Sequence, residues 1–230
     1  MIKFDQTKAT YDALFLQGGF EGTYDLPYRH SSYFPLFRRV LKQVLDSGAK
    51  SILEVGCGTG GFAHYLMETT PVAYRGFDFS DVAVGKARER TGRAEAFFVG
   101  DATVPETYSG QSPDCIVCTE VLEHIESDLE AISHWRPGTF CVCSVPNFDA
   151  DTHVRFFGLE EEVLSRYGQM IEIKDIARIN KPELSDISLR STLRALRWNR
   201  YRPRRLLRIL GVGSFESMGG WFMFSGTRKG

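Results

Sequence analysis

Between Glu54 and Gly61 the chain reads EVGCGTGG: four glycines in six positions, directly behind a carboxylate. Glycines spaced this way let a backbone approach a ligand closely. Gly56, Gly58 and Gly61 satisfy the G-x-G-x-x-G spacing, and Asp78 follows at about the 20-residue distance at which an acid takes ribose hydroxyls in a dinucleotide pocket. A diphosphate, however, prefers bare N–H groups, a helix N-terminus and a nearby cation. Here Glu54, Asp78, Asp101, Glu120 and Glu123 fall around the same glycines. Carboxylates a few ångströms from a phosphate repel it. The charges therefore favour a guest that carries cationic groups and no phosphate.

An alternating series of strands and helices would position these residues. SILEV leads into the glycine loop, and FAHYLMETT continues as a helix that stops before Pro71. VAYRGFDF reads as a second strand, and Ser80 caps the helix DVAVGKARERT, which closes at Gly92. AEAFFVGD, DCIVCTE and TFCVCSV follow as strands, with SDLEAIS a helix before the last of them. Upstream, Ser31 or Ser32 caps a helix to about Ser47, with Phe34, Phe37, Leu41, Val44 and Leu45 at helical spacing and Gly48 ending it. Downstream come a helix, LEEEVLSRY, a strand, MIEIKDIARI, and a final strand, GGWFMFSGT. Strands alternating with helices predict an α/β fold with a mostly parallel sheet covered on both faces. Ligands bind beyond the carboxyl ends of such strands, where the strand order reverses. Glu54–Gly61, Asp78, Asp101, Glu120–His124 and Pro146–His153 all follow strand ends. They describe the rim of one pocket.

Composition narrows the classes. A chain of 230 residues, 43% hydrophobic and 25% charged, suits a single globular domain over residues 1–230. A net charge of -1 gives no general pull toward nucleic acid or anionic membrane. There is no signal-peptide pattern and no apolar run long enough for a membrane span, so a cytoplasmic protein is expected. Cys115-x-x-Cys118 imitates metal-ligand spacing, but strand side chains alternate faces, so the two point opposite ways. The five cysteines read as core filling, and no metal ligand set is expected.

ILEVGCGTG, GFDFS, VGDAT and CTEVLEHI together resemble the ordered motifs of class I S-adenosylmethionine-dependent methyltransferases, over about residues 50–146. The resemblance implies a Rossmann-like seven-stranded sheet, mostly parallel with an antiparallel last strand. It divides the chain into an N-terminal helical or lid segment (1–48), a cofactor core (49–147) and an acceptor-side half (148–230). It implies S-adenosyl-L-methionine as cofactor, with S-adenosyl-L-homocysteine as product. Gly56, Cys57, Gly58 and Gly60 would line the methionine and ribose, with Glu54 holding the α-amino group. Asp78 would accept from the ribose hydroxyls, Phe79 pack on the adenine, and Asp101 and Ala102 hydrogen-bond its edge. Glu120 and Val121 would border the methyl-transfer channel, whereas Glu123 and His124 read equally well as helix-start packing. EVLEHI followed by SVPN is similar to the branch with quinone and natural-product methyltransferases, which implies a small-molecule acceptor methylated on oxygen or nitrogen. A nicotinamide or flavin oxidoreductase and a non-catalytic adenosylmethionine-binding module remain the alternatives.

On the acceptor side, His153 is the candidate base, because imidazole titrates near neutral pH. Tyr24, Tyr28 and Asn147 are candidate acceptor contacts, the two tyrosines within a glycine- and aromatic-rich stretch suited either to a lid or to edge packing. The stretch at about 181–211 carries arginines including Arg190, Arg194 and Arg197 at helical spacing. It is suited to an acidic acceptor, a phosphate or an anionic surface, or simply to solvent. No groove-reading or base-stacking motif accompanies it, so no nucleic-acid partner is expected. The sequence does not set the oligomeric state.

Overall fold

Short β-branched and apolar runs become the strands β1 (Ser51–Val55), β2 (Ala73–Asp78), β3 (Phe97–Val99), β4 (Cys115–Thr119), β5 (Phe140–Pro146), β6 (Ile171–Ile179) and β7 (Trp221–Arg228). The computed structural model describes residues 7–19, 22–180 and 219–230, together with 193, 196, 197, 200, 201, 203, 206 and 207. Most of the arginine-rich stretch, including Arg190 and Arg194, lies outside the described residues, as does its expected helical face. The helices are α1 (Lys8–Leu16), α2 (Phe34–Asp46), α3 (Gly61–Thr69), α4 (Asp81–Thr91), α5 (Asp128–Ser133) and α6 (Glu160–Tyr167).

The sheet order is β3-β2-β1-β4-β5-β7-β6. All neighbours run parallel except β7, which is antiparallel to both β5 and β6. This is the expected seven-stranded, Rossmann-like sheet with an antiparallel last strand. The order reverses between β1 and β4, so the crevice between their carboxyl ends is where such a fold binds ligands. Strand alternation divides the core. Ile52, Cys115, Val117 and Met223 pack with α2, α3 and α4 on one face. Leu53, Val55, Cys118 and Phe224 pack with α5 and α6 on the other. Cys115 and Cys118 thus point to opposite faces, and all five cysteines are buried free thiols. Among the described residues, no helix is long and apolar enough to cross a membrane.

Several local details differ from the sequence reading. The Ser31 hydroxyl accepts from the amide of Tyr33 at 3.1 Å instead of capping α2, and α2 begins with Pro35 in its first turn, where a missing N–H costs nothing. Its buried stripe is Leu36, Val40, Leu41 and Val44, and Leu45 is 47% exposed. The third strand keeps only Phe97–Val99, since Ala94–Ala96 form a 3-10 turn. Ser80 does cap α4, accepting from the amide of Ala83 at 3.1 Å, and Gly92 closes that helix in the left-handed region.

Candidate functional site

A cavity of about 410 Å³ opens over the carboxyl ends of β1, β2 and β4, a volume in the range of small-molecule and cofactor sites. Its floor is the glycine loop with Glu54 and Asp78. One wall is the turn Glu120–Ile125, and the opposite wall is Tyr11, Leu14 and Phe15 of α1 with residues 23–33. The N-terminal stretch therefore builds the site, where the sequence reading left lid and edge packing both open.

Two acids lie beneath this space with little access to water: Glu54 is 3% and Asp78 is 5% exposed. Glu54 is the fourth residue of β1 and accepts from the buried hydroxyl of Tyr74. Burial pushes its carboxyl up to about 8, with the nearby Asp78 adding to the rise and the Tyr74 hydrogen bond opposing it. Asp78 ends β2 and accepts from the amides of Gly58 at 2.9 Å and Ser80 at 3.0 Å. Burial pushes Asp78 up to about 6, and those amides hold it from rising further. It ties the glycine loop to the start of α4.

Tight backbone approach explains two of the glycines. A Cβ on Gly56 would lie 2.3 Å from Cγ2 of Val121, so the loop after β1 and the turn after β4 close on each other only without a side chain there. Gly60 is placed differently from the sequence expectation. A Cβ there would meet Ala87 of α4 at 3.0 Å, so Gly60 serves helix–loop packing, and it is not among the residues lining the cavity. Glu120 is the one non-glycine residue with positive φ, at 59°, among the described residues. Such a conformation is disfavoured and concentrates at functional sites. Ser144 of β5 holds it, donating to Oε1 at 3.1 Å and accepting from the Glu120 amide at 3.2 Å.

With this geometry established, comparison with known proteins decides the family. The family described as "Methyltransferase domain" matches residues 26–206. The chain belongs to that family. This methyltransferase domain is 25% identical over 183 residues to a ubiquinone biosynthesis O-methyltransferase of Rickettsia conorii, covering 71% of this chain and 61% of that one. It is 38% identical over 128 residues to a phthiotriol/phenolphthiotriol dimycocerosates methyltransferase of Mycobacterium tuberculosis, covering 50% and 46%. The domain thus spans 49% to 61% of the length of the ubiquinone relatives it matches. Among solved structures, the N-methyltransferase NodS of Bradyrhizobium japonicum with S-adenosyl-L-homocysteine superposes at a TM-score of 0.55, 18% identity, and 84% and 85% coverage. The [4+2]-cyclase SpnF superposes at 0.58, 19% identity, and 84% and 80%. A fold shared by a cyclase and an N-methyltransferase leaves the chemistry to the site.

Most of the expected residues meet on the cavity of this methyltransferase domain: Glu54, Gly56, Cys57, Gly58, Asp78 and Phe79 on one side, Asp101, Ala102, Glu120 and Val121 on the other. Asp101 is exposed, and its carboxylate already accepts from the Thr103 amide at 2.8 Å and hydroxyl at 2.7 Å. Tyr24 and Tyr28 line the wall, but the Tyr28 hydroxyl donates to Glu68 of α3, leaving its ring as the contact. Asn147 is not on this cavity. It pins the end of β5 to β7, its Oδ1 accepting from the Gly220 amide at 2.6 Å and its own amide donating to Gly220 O at 3.0 Å. His153 also stands off the wall, behind His124, with the two rings 5.0 Å apart.

The sequence reading missed two groups, Tyr11 and Arg90, and left Glu123 open between rim acid and helix-start packing. Tyr11 packs edge-on to Phe79 at 5.1 Å and meets His124 Nδ1 with its hydroxyl at 3.0 Å. Spaced four apart, Tyr11 and Phe15 were the available signal for α1. Among the described residues, Arg90 is the single Lys or Arg on the wall, and its guanidinium donates to the backbone of Tyr24. Glu123 is fully buried, and among the described residues neither carboxylate oxygen has a hydrogen-bond partner.

Proposed function

We propose that this chain uses S-adenosyl-L-methionine to methylate an oxygen or nitrogen of a small-molecule acceptor. The observation that carries the reading is the pair of buried acids, Glu54 and Asp78, under a glycine loop at the reversal of the sheet. A cationic amino-acid guest gains from those acids, while a pyrophosphate lying against the same glycines would be repelled. The bound cofactor supplies an electrophilic methyl on a sulfonium that leaves as a neutral thioether. The chain's own residues do the rest. Glu54 meets the α-ammonium, Asp78 the ribose hydroxyls, and Phe79 and Tyr11 the adenine face. Glu120, Val121 and the aromatic wall of Tyr24, Tyr28 and Tyr33 hold the acceptor in line and exclude water, positioning that is worth ~7–11 kcal/mol in well-oriented reactions. Relatives that include an O-methyltransferase and a phosphoethanolamine N-methyltransferase of Triticum aestivum support both acceptor atoms.

Isothermal calorimetry tests the reading directly. S-adenosyl-L-homocysteine should bind one per chain, and nicotinamide or flavin dinucleotides should not. Stoichiometric dinucleotide binding in the cavity would overturn it. Transfer of labelled methyl from cofactor to a fractionated small-molecule extract then separates an enzyme from a binding module.

The buried Glu54 also sets a pH signature. In the empty cleft its carboxyl titrates at about 8, so below that pH it is largely neutral and offers an arriving ammonium no charge. The ammonium favours the ionised form, so binding expels a proton. Affinity for S-adenosyl-L-homocysteine should therefore rise between pH 6 and 7.5, by up to about tenfold per unit, and level off near 8. Glu54→Gln should bind more weakly and lose most of this slope. Calorimetry in buffers of different ionisation enthalpy would show the released proton. A flat affinity and no proton release would exclude Glu54 as the ammonium partner.

A further inference from the structure

Glu54 lies on the cavity floor, and the neighbouring strand supplies its buried partner. Glu54 pairs with Gly76 of β2 in parallel register, and Tyr74 stands two residues earlier on the same face of that strand. Tyr74 is only 9% exposed and is not among the residues lining the cavity. Its ring reaches Glu54 by lying across Gly76. A Cβ at Gly76 would overlap the Tyr74 hydroxyl and would lie 2.8 Å from its Cζ and 3.1 Å from Cβ of Cys57. Gly76 is not among the glycines with positive φ, so what it supplies is space. Phe97 of β3 packs on the same tyrosine, with 5.4 Å between ring centroids.

A buried hydroxyl costs free energy unless it is hydrogen-bonded, and phenylalanine would fill the same space without that cost. The Tyr74 hydroxyl has one hydrogen to give, and it donates to Oε2 of Glu54. Burial and the neighbouring Glu54 push the phenol well above its ordinary range, so it keeps that hydrogen. The other titratable groups beside Glu54 are Asp78 at the end of β2, Cys57 of the glycine loop and Cys118 of β4. Burial pushes both thiols up, so they stay neutral to pH 9. Asp78 titrates at about 6. Among these groups, therefore, Glu54 alone changes charge between pH 7 and 9.

We propose that Tyr74 is a positioning residue for the cofactor: its hydroxyl takes one oxygen of the Glu54 carboxylate and leaves the other aimed at the α-ammonium. This deepens the methyltransferase reading and rests on it for the ammonium. A carboxylate accepts a hydrogen bond more strongly than a neutral carboxyl does, so the phenol favours the charged form. Losing the donor therefore raises the pH that Glu54 needs before it can attract the ammonium. The same loss leaves the carboxylate free to turn away from its guest. Tyr74 thus acts on binding through Glu54, without touching the cofactor itself.

Tyr74→Phe keeps the ring and removes the donor. Its affinity for S-adenosyl-L-homocysteine, measured by calorimetry on the full chain, should fall about tenfold at pH 7 and only about twofold at pH 9. The pH at which affinity levels off moves upward accordingly. Tyr74→Met, which also lacks the donor but packs differently, should give the same displaced profile. In a Glu54→Gln background, Tyr74→Phe should change affinity by less than about twofold, since no charge remains for the hydroxyl to hold. Circular dichroism at each pH certifies that the variants fold. A merely structural tyrosine would weaken binding equally at every pH and in both backgrounds, and that result overturns the proposal. So does a Tyr74→Phe profile that superposes on wild type. A wild-type chain that does not bind S-adenosyl-L-homocysteine would remove the methyltransferase reading and the role of Tyr74 together, whereas cofactor binding that ignores Tyr74 would remove that role alone.

Discussion

Asp78→Ala should weaken binding of S-adenosyl-L-homocysteine by about 30- to 100-fold, roughly 2–2.7 kcal/mol. Two losses add. The carboxylate holds the amides of Gly58 and Ser80, and charge-assisted hydrogen bonds of this kind contribute roughly 1.5–3 kcal/mol each. Without it the Gly58 amide loses its partner and the glycine loop is free to leave its cofactor-ready shape. The second loss, on the proposed cofactor reading, is the acceptor for the ribose hydroxyls. Asp78→Asn divides the two, because its side-chain oxygen can still take one amide but carries no charge, and it should fall between wild type and Ala. Calorimetry on both variants, with melting temperature as a control for folding, decides the matter. An Asp78→Ala protein that folds and binds within threefold of wild type would remove Asp78 from the cofactor site.

Much of this site was legible before any coordinates, for identifiable reasons. Strand ends in an alternating α/β chain are fixed by hydrophobic runs, and the sheet puts those ends on one edge, so Glu54, Asp78, Asp101 and Glu120 were found as a group. Cys115 and Cys118 were separated correctly because the two-residue period of a strand needs no tertiary information. The failures share a different cause. Gly60 was read as a cofactor contact because spacing does not reveal that Ala87, on the next helix, occupies the space a side chain would take. Asn147 was read as an acceptor contact because proximity to a strand end is ambiguous when an antiparallel neighbour such as β7 claims the polar group. α1 was missed because a nine-residue helix with two buried positions, Tyr11 and Phe15, leaves too short a periodic signal.

The histidines show the limit most clearly. Glu123 and His124 are adjacent in sequence, but their companion His153 arrives on a loop after β5. Only the β4–β5 pairing, with Cys118 opposite Cys143 and Thr119 opposite Ser144, carries the two turns to the same place. The strained backbone of Glu120 likewise has no sequence signature, since the residue type is one that avoids positive φ.

What holds those turns together predicts the largest effect on stability: Asp128→Ala should lower the melting temperature by about 10 °C. Asp128 is fully buried at the start of α5 and accepts from Arg166 Nε at 2.8 Å, Arg166 Nη2 at 2.5 Å and the Tyr167 hydroxyl at 2.9 Å, with Arg155 Nη1 at 3.2 Å. One carboxylate therefore ties α5, α6 and the loop that carries His153. Removing a single partner from a buried ionic cluster costs roughly 3–5 kcal/mol, because the remaining charges and the Tyr167 hydroxyl lose their compensation. Asp128→Asn keeps shape and one acceptor oxygen, so its loss should be about half as large. The proposed cofactor floor, Glu54 and Asp78 under the glycine loop, lies elsewhere on the sheet, so S-adenosyl-L-homocysteine affinity below the melting transition should stay within about threefold of wild type. A melting temperature within about 2 °C of wild type would mean that the cluster does not hold this half of the sheet together.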